Sequence, residues 1–398
     1  MDMLCKYTPK PLLPIGGQFR VIDFSLSNCI NSKICEYTIL TNHGLAKIER
    51  YLRNWHIRNS GPCAMNILEP ESNSYKGTAD AIFQNLEYLN NIEADTILVL
   101  AADHVYKMDY RDLVNFHFEV DADVTLGVIE VPIDEASRFG ICRIDSKNRI
   151  VKYQEKPDKP WSNLASMGIY AFKKETLIER IHNYGSCHQD RHDVSYTIIP
   201  EILEQDRFFA YQFDGYWRDI GTVEAFYNTS MEMLDTPELL ITDEKWPVLT
   251  GDSRLRINEH IPEGNVSNSI VSQECIVKGK VINSVLSPGV KIDSNALVKD
   301  SIIMPEVKIG NFSIVDHCII DEHANIGDYS YIGFGDTHMD GSIMTILGKS
   351  SIIPSGTVIG RNCRILPDVR LEDFTSGCFV PSCRIIGQSI SLESTIRV

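Results

Sequence analysis

A six-residue spacing of apolar side chains, which begins near residue 262, constrains the fold of this chain more than any other feature. The first four sets with this spacing start 16 or 17 residues apart, with turn residues between them. The sets are Ile270, Ile276 and Ile282; Leu286, Ile292 and Val298; Ile303, Ile309 and Val315; Ile320, Ile326 and Ile332; Ile346, Ile352 and Val358; and Ile359, Ile365 and Leu371. This spacing predicts a left-handed parallel β-helix of hexapeptide repeats, whose coils stack to bury one apolar residue per face. A β-sandwich with accidental spacing is the alternative, and four consecutive sets weigh against it.

The first half of the chain has a different pattern, in which short apolar runs alternate with helical periodicity. Residues 96–101 are continuously apolar after Thr96, which is typical of a strand covered on both faces, and residues 223–234 are typical of a helix. The alternation predicts an α/β layer fold with a Rossmann-like, mostly parallel sheet. We therefore expect a first domain over 1–235, a linker over 236–261 and a β-helix domain over 262–398.

Composition narrows the range of partners. The 38 basic and 54 acidic residues give a net charge of −16, which argues against general binding to nucleic acid or anionic membranes but allows a small phosphorylated substrate. The sequence has neither an apolar run of about 18 residues nor a signal-peptide pattern. Its 11 cysteines include no Cys-x-x-Cys pair, so we expect reduced thiols and a cytoplasmic protein rather than a zinc or disulfide framework.

Polar residues that are candidates for binding or catalysis cluster in the first half of the chain. They occupy segments 10–28, 75–81, 103–110, 155–157, 166–170 and 216–222. Asp103 directly follows the apolar run, so its carboxylate should project from the carboxyl edge of the sheet, where ligands bind in open α/β folds. Helix caps are the alternative roles for Asp103 and Asp219.

Taken together, these segments resemble the sugar-1-phosphate nucleotidyltransferases and, among them, the glucose-1-phosphate adenylyltransferase family. The discriminating pieces are residues 20–28 and 106–110. The resemblance implies a reaction of ATP with glucose 1-phosphate that gives ADP-glucose and pyrophosphate for glycogen synthesis. Such phosphoryl chemistry requires positioning, charge neutralisation and Mg²⁺ more than covalent help from the protein.

The resemblance also implies roles for individual residues. Asp103 and Asp219 would hold the metal, and Lys10 and Asp103 would act on the reacting phosphates. Lys156 would bind the sugar phosphate, and Glu155, Ser166, Gly168 and Tyr75 would contact the substrate. Gly77 and Thr78 would bind the nucleotide: Gly77 would let the backbone approach it, and Thr78 would also cap the following helix. A homotetramer and a small-molecule allosteric effector are implied as well.

One departure from the family concerns its glycine-rich phosphate loop, which ends in an arginine. Met1 aligns just after that arginine, so the sequence given contains neither the loop nor the strand before it. Several charge-assisted phosphate contacts, each typically worth about 1.5–3 kcal/mol, depend on such a loop. We therefore expect impaired catalysis by the chain as written. A misplaced start and a true loss in a regulatory subunit are the two explanations.

Three other functions remain open at this point. The chain could be a non-catalytic regulatory subunit, or a nucleotidyltransferase for another sugar phosphate or base, such as mannose 1-phosphate with GTP. The β-helix could also be an acyltransferase that uses His317, His323 or His338 as a base, although we expect these histidines to lie in turns or face outward.

Overall fold

The computed structural model describes residues 1–42, 46–71, 74–186, 191–236, 243–252, 265–335, 344–374 and 379–387. An α/β part comes first. Its helices are α1 (Asp2–Cys5), α2 (Val21–Asn31), α3 (Ala46–Asn59), α4 (Thr78–Gln84), α5 (Leu86–Asn91), α6 (Tyr110–Glu119), α7 (Lys174–Ser186), α8 (Val194–Thr197), α9 (Ile199–Gln205) and α10 (Val223–Asp235). Its strands are β1 (Pro14–Ile15), β2 (Phe19–Arg20), β3 (Glu36–Leu40), β4 (Ala64–Leu68), β5 (Thr96–Val99), β6 (His104–Tyr106), β7 (Val124–Glu130), β8 (Gly140–Ile144), β9 (Ile150–Glu155), β10 (Leu164–Lys173), β11 (Phe208–Gln212) and β12 (Trp217–Asp219). Within the described ranges, every helix is too short or too polar to span a bilayer.

The central sheet of this part has six strands arranged around the long strand β10. The order is β11–β7–β10–β8–β9, and β5 also pairs with β10. Strands β5, β7 and β8 run antiparallel to β10, while β11 runs parallel to β7, so four of the six strands point in one direction. The predicted α/β layer fold is confirmed.

Strand β5 is packed on both faces, as the apolar run predicted. Ile97 and Val99 pack on one hydrophobic cluster, and Leu98 packs on the cluster of the opposite face. All four residues of β5 are nevertheless partly exposed, because β10 is its one strand partner in the described chain. Strands β3 and β4 form a separate parallel pair.

The second part is a parallel β-helix with three sheets, as predicted. Two sheets have seven strands and one has five, and each strand pairs in parallel with the strand of the next coil. The strands of the first sheet are Asn265–Ser267, Lys280–Ile282, Leu297–Lys299, Ile314–Asp316, Tyr331–Phe334, Val358–Gly360 and Phe379–Val380. Those of the second sheet are Ile270–Val271, Val285–Leu286, Ile302–Ile303, Cys318–Ile320, Thr345–Leu347, Arg364–Ile365 and Ile385–Ile386. Those of the third sheet are Ile276–Val277, Lys291–Ile292, Lys308–Ile309, Asn325–Ile326 and Ile352–Ile353.

The inward-facing residues match the predicted sets in the middle of the β-helix but not at its ends. The sets over 286–298, 303–315 and 320–332 line its core, and so do Ile359 and Ile365. Ile276 and Ile352 are exposed instead, and Val277 and Ile353 take the inward positions. Two apolar residues are adjacent at these sites, and a shift of one residue moves a side chain to the other face of the strand. Leu371, which was also expected inside, lies exposed in a 3-10 turn.

An outward row of the second sheet packs against the α/β part, which explains why its strands have adjacent apolar residues. Ile302, Ile319 and Ile346 share one hydrophobic cluster with Phe24 of α2 and Phe226 of α10. Both faces of these strands are therefore buried, and the two parts of the chain share a core.

Part of the predicted linker is also packed on the α/β part. The indole Nε1–H of Trp246 donates to Asn28 Oδ1 at 2.8 Å, and the Leu249 N–H donates to Ser27 Oγ at 2.8 Å. Residues 237–242 and 253–261 of that predicted segment lie outside the described residues, as do Pro237 and Pro262.

Candidate active site

A short antiparallel ladder joins two acidic residues that are distant in the chain. Strands β6 and β12 pair so that His104 lies opposite Asp219, and Asp103 immediately precedes β6. The Lys10 ammonium lies 2.7 Å from Asp103 Oδ2 and 3.5 Å from Asp219 Oδ1. The structure therefore brings together Asp103, Asp219 and Lys10, which the sequence assigned to one site.

The electrostatics of this cluster favour the ionised form of the Asp103 carboxyl. Partial burial opposes ionisation of Asp103, but the nearby His104 ring and Lys10 ammonium outweigh burial and lower the pKa of this carboxyl. On the other side, the Arg138 guanidinium donates to Asp219 Oδ2 at 3.3 Å. Arg138 lies in the 3-10 turn Ala136–Arg138, and no sequence pattern marks it as a site residue.

Neither acidic residue caps a helix. Asp109 caps α6 by accepting from the Arg111 N–H, and Thr222 caps α10 by accepting from the Ala225 N–H.

A Cβ added at Gly221 would lie 2.8 Å from Asp219 Oδ2. The carboxylate of Asp219 thus occupies the space that a glycine leaves.

The residues predicted to bind the sugar form a second group. The Tyr153 hydroxyl donates to Glu155 Oε2 at 2.7 Å, and the Lys156 ammonium lies 3.9 Å from Glu155 Oε1. Lys156 has a left-handed backbone, with φ 44°, and its side chain is 58% exposed. No ion pair joins Lys156 to Asp103 or Asp219, which are all in the described chain, so the three groups expected to share one cavity are not in direct contact.

The chain segment over 138–140 connects the two groups. Arg138 binds Asp219, and the Phe139 carbonyl accepts from the Lys156 N–H at 3.0 Å. The Phe139 ring packs edge-on against Trp217 of β12, with ring centres 5.4 Å apart. This link was not visible in the sequence, because it depends on how the β8 entry turn packs against a strand about 80 residues away.

Ser166 and Gly168 lie at an irregularity of β10 beside the acidic cluster. The register of β10 against β7 shifts between Ser166 and Ile169, and Gly168 has φ 65°, which favours glycine. The Gly168 N–H donates to Ser166 Oγ at 3.2 Å, and a Cβ at Gly168 would lie 3.6 Å from His104 Cε1. The bulge therefore places Gly168 close to the His104 ring, and Ser166 is hydrogen-bonded to Gly168.

The residues predicted to bind the nucleotide contact the loop that contains His192 and Asp193. The Thr78 N–H donates to Asp193 Oδ1 at 3.1 Å, and a Cβ at Gly77 would lie 2.6 Å from the His192 carbonyl oxygen. The expectation that Thr78 caps α4 is wrong. Thr78 is the first residue of that helix, and its Oγ1 accepts from the Val194 N–H at 3.0 Å.

Tyr75 precedes Gly77 in the chain and makes hydrogen bonds with Asn42 and Asn85. Its N–H donates to Asn42 Oδ1 at 2.7 Å, and its hydroxyl accepts from the Asn85 amide at 2.9 Å. No hydrogen bond joins the described residues Tyr75, Gly77 or Thr78 to the Asp103 cluster, so their role in nucleotide binding stays a prediction.

The two described histidines that were considered as acyl-transfer bases have left-handed backbone conformations in the β-helix. His317 has a left-handed backbone, and its Nδ1 lies 3.2 Å from the Tyr227 hydroxyl at the junction of the two parts. His323 is likewise in a left-handed turn position, and His338 lies outside the described residues.

Comparisons with known proteins agree with this architecture. Residues 3–236 match the family model "Nucleotidyl transferase", and residues 253–346 match "GlmU-like, C-terminal hexapeptide". The α/β part with the Asp103 cluster and the β-helix therefore define a nucleotidyltransferase with a hexapeptide-repeat domain. Nucleotidyltransferases of this kind generally use a divalent metal.

Full-length relatives narrow this class to one family. A glucose-1-phosphate adenylyltransferase of Thermotoga maritima is 45% identical over 94% of this chain and 93% of its own length. The enzymes of the same name from Acetivibrio thermocellus and Geobacillus stearothermophilus are 37% and 41% identical, over 94% and 73% of this chain and 92% and 77% of their own lengths. The chain belongs to the glucose-1-phosphate adenylyltransferase family.

Proposed function

We propose that this protein transfers the adenylyl group of ATP to glucose 1-phosphate, giving ADP-glucose and pyrophosphate for glycogen synthesis. The observation that carries the proposal is the ladder of β6 and β12, which joins Asp103 and Asp219 beside the Lys10 ammonium. Family membership selects this reaction among those that such a cluster supports.

The acidic and basic residues of the site have different roles. Asp103 and Asp219 are the donors that suit Mg²⁺, which prefers carboxylates together with phosphate oxygens and water. When bound, Mg²⁺ supplies charge neutralisation to the reacting phosphates. Lys10 and Arg138, which contact the same carboxylates, supply fixed positive charge at the edge of the site.

The flanking groups position the two substrates. Lys156 is exposed enough to meet a sugar phosphate, and Glu155 beside it can accept hydrogen bonds from sugar hydroxyls. Ser166 and Gly168 extend this surface along the β10 bulge toward His104. On the nucleotide side, Tyr75 offers a ring, and Gly77 and the exposed Thr78 offer the start of α4.

The decisive experiment measures pyrophosphate release from ATP and glucose 1-phosphate. Asp103→Asn should lower turnover by about two orders of magnitude or more with the fold unchanged, because it removes the carboxylate charge at the reacting phosphates. Asp112→Asn, on the exposed face of α6, is the matched control and should retain full turnover. Turnover of Asp103→Asn near the parental value would contradict the assignment.

The same assay separates the alternatives. A panel of nucleotides and sugar phosphates tests whether ATP and glucose 1-phosphate are the preferred pair. Release of no pyrophosphate from any pair would favour a non-catalytic regulatory subunit. The Thermotoga maritima relative, assayed in parallel, tests the expectation that this chain as written is slow.

We also propose that an anionic small-molecule effector binds at the junction of the two parts. Three cations converge there on the buried carboxylate of Glu322: Arg20 at 3.5 Å, Lys47 at 3.6 Å and Lys349 at 2.5 Å. Burial first, and then the neighbouring cations Lys349 and Arg20, lower the pKa of Lys47. Inorganic phosphate should change the turnover of the parent but not of Lys349→Met. An equal response in both proteins would refute this site.

A homotetramer is the assembly we propose, with the first β-helix sheet as a contact face. An outward row of that sheet is apolar in five successive coils, namely Leu297, Ile314, Tyr331, Val358 and Phe379. Continuous apolar surface of this kind is typical of protein interfaces. Light scattering should give four subunits for the parent and fewer for Tyr331→Glu, whereas an unchanged mass would exclude this face.

The cytoplasm is the location we propose. The thiols of Cys29 and Cys142 are buried, and burial raises the pKa of each to about 12, as suits inert thiols in a reducing compartment. Fractionation of cells that express the tagged full chain should recover it in the cytosol, and recovery elsewhere would overturn the proposal.

A further inference from the structure

The acidic cluster contains a third donor atom that the proposed reaction has not used. The ring nitrogen Nε2 of His104 lies 3.5 Å from Asp103 Oδ1 and 3.9 Å from Asp219 Oδ1. In the described part of the chain, these three residues form a group whose donor atoms all lie within 4.8 Å of one another. Ligands held about 2.1 Å from an octahedral ion lie about 3 to 4.2 Å apart, so both His104 separations suit a shared cation.

Each carboxylate directs its Oδ1 toward His104 and gives its Oδ2 to an outer cation, and Lys10 also lies 3.5 Å from Asp219 Oδ1. Asp103 directs Oδ1 toward His104 and gives Oδ2 to Lys10. Asp219 directs Oδ1 toward His104 and Lys10 and gives Oδ2 to Arg138. The outer cations therefore orient the carboxylates, which is the function that outer-shell partners serve around metal ligands.

The surroundings of His104 fix its ring in this position. The ring packs edge-on against Trp217, with centres 5.1 Å apart, and its Cε1 lies against the position of Gly168. Its other nitrogen, Nδ1, is buried and has no hydrogen-bond partner among the described residues. Nε2, which faces both carboxylates, is therefore the ring nitrogen that is placed to bind a cation.

We propose that His104 Nε2 is the third protein ligand of the metal, and that it makes the site prefer Mn²⁺ or Co²⁺ over Mg²⁺. Imidazole nitrogen suits the first-row transition metals, whereas Mg²⁺ prefers oxygen donors. A site with two carboxylates and one imidazole therefore binds the transition metal more tightly than a site with two carboxylates alone. This inference rests on the metal site of the proposed function and assigns it a further ligand and a selectivity.

The test is electron paramagnetic resonance of Mn²⁺ with the full-length protein. Bound Mn²⁺ should show electron spin-echo modulation from a directly ligated ¹⁴N, and Mg²⁺ should displace it only in large excess. In His104→Phe, which keeps a ring beside Trp217, the nitrogen modulation should vanish and Mn²⁺ affinity should fall about ten-fold or more. Affinity for Mg²⁺ should fall less. His56→Phe on α3 is the matched control, because His56 Nδ1 is also buried without a partner in the described chain but lies outside the acidic cluster.

Failure of this inference is distinguishable from failure of the proposed function. Absence of nitrogen modulation in the parent, or unchanged Mn²⁺ binding in His104→Phe, would overturn the role of His104. If Asp219→Asn still abolished binding in that case, the carboxylate site would stand without its histidine. Unchanged Mn²⁺ binding in both Asp103→Asn and Asp219→Asn would overturn the metal site itself, and the inference with it.

Discussion

Replacement of Gly221 by alanine should disable the site while leaving the fold almost as stable as before. The added Cβ would lie 2.8 Å from Oδ2 and 3.3 Å from Oδ1 of Asp219, so the carboxylate must move by several tenths of an ångström. The end of a flexible side chain moves at little cost. The contact it gives up, with the partly exposed Arg138, is worth at most about 1 kcal/mol.

Function should respond much more strongly than stability. A displacement of about 1 Å in a positioned group can cost about 10²-fold in rate, and loss of an oriented ligand can cost about 10- to 100-fold in metal affinity. We therefore expect Gly221→Ala to resemble Asp219→Asn in pyrophosphate release and in Mn²⁺ titration, with an unfolding free energy within about 1 kcal/mol of the parent. Parental activity in Gly221→Ala, combined with its loss in Asp219→Asn, would refute the reasoning.

Two further predictions concern stability and are checked by chemical denaturation. Ile353→Ala should cost about 2–5 kcal/mol, because Ile353 is buried in the β-helix, whereas its exposed neighbour in Ile352→Ala should cost little; equal costs would contradict the register. Burial first, and then the Glu322 charge, raises the pKa of Asp321 to about 7, so the folded state holds this proton more tightly than the unfolded state. Its stabilising contribution is complete below about pH 4 and is lost as pH rises through about 7, so the stability of the parent relative to Asp321→Asn should fall over that range by at most about 4 kcal/mol. A pH-independent difference would exclude this effect.

Sequence patterns predicted the fold at positions where the residue type suits either the core or the surface but not both. The six-residue spacing identified the β-helix, but it could not decide between Ile352 and Ile353, because both residues are apolar and each belongs to a row with the same six-residue step. The same ambiguity hid the docking face, where Ile302 and Ile346 are apolar because they cover the α/β part.

In the candidate site, too, local sequence patterns predicted some residues, whereas the roles of others depend on contacts between segments that are distant in the chain. The position of Asp103 after a strand predicted its place at a sheet edge, and resemblance to a family supplied Asp219. Arg138 carried no local signal, because its role arises from packing between β8 and β12. His104 was within a recognised motif, but only the ladder pairing shows that its ring nitrogen faces both carboxylates.

A hydrogen bond and a short chain segment connect the β-helix to the candidate site. Helix α10 begins four residues after Asp219, and its Tyr227 hydroxyl donates to the Asp300 carbonyl of the β-helix at 2.7 Å. A shift of the β-helix against the α/β part would thus move α10 and, through its capping residue Thr222 and Gly221, the carboxylate of Asp219. The junction of the two parts and the candidate site are therefore connected through α10.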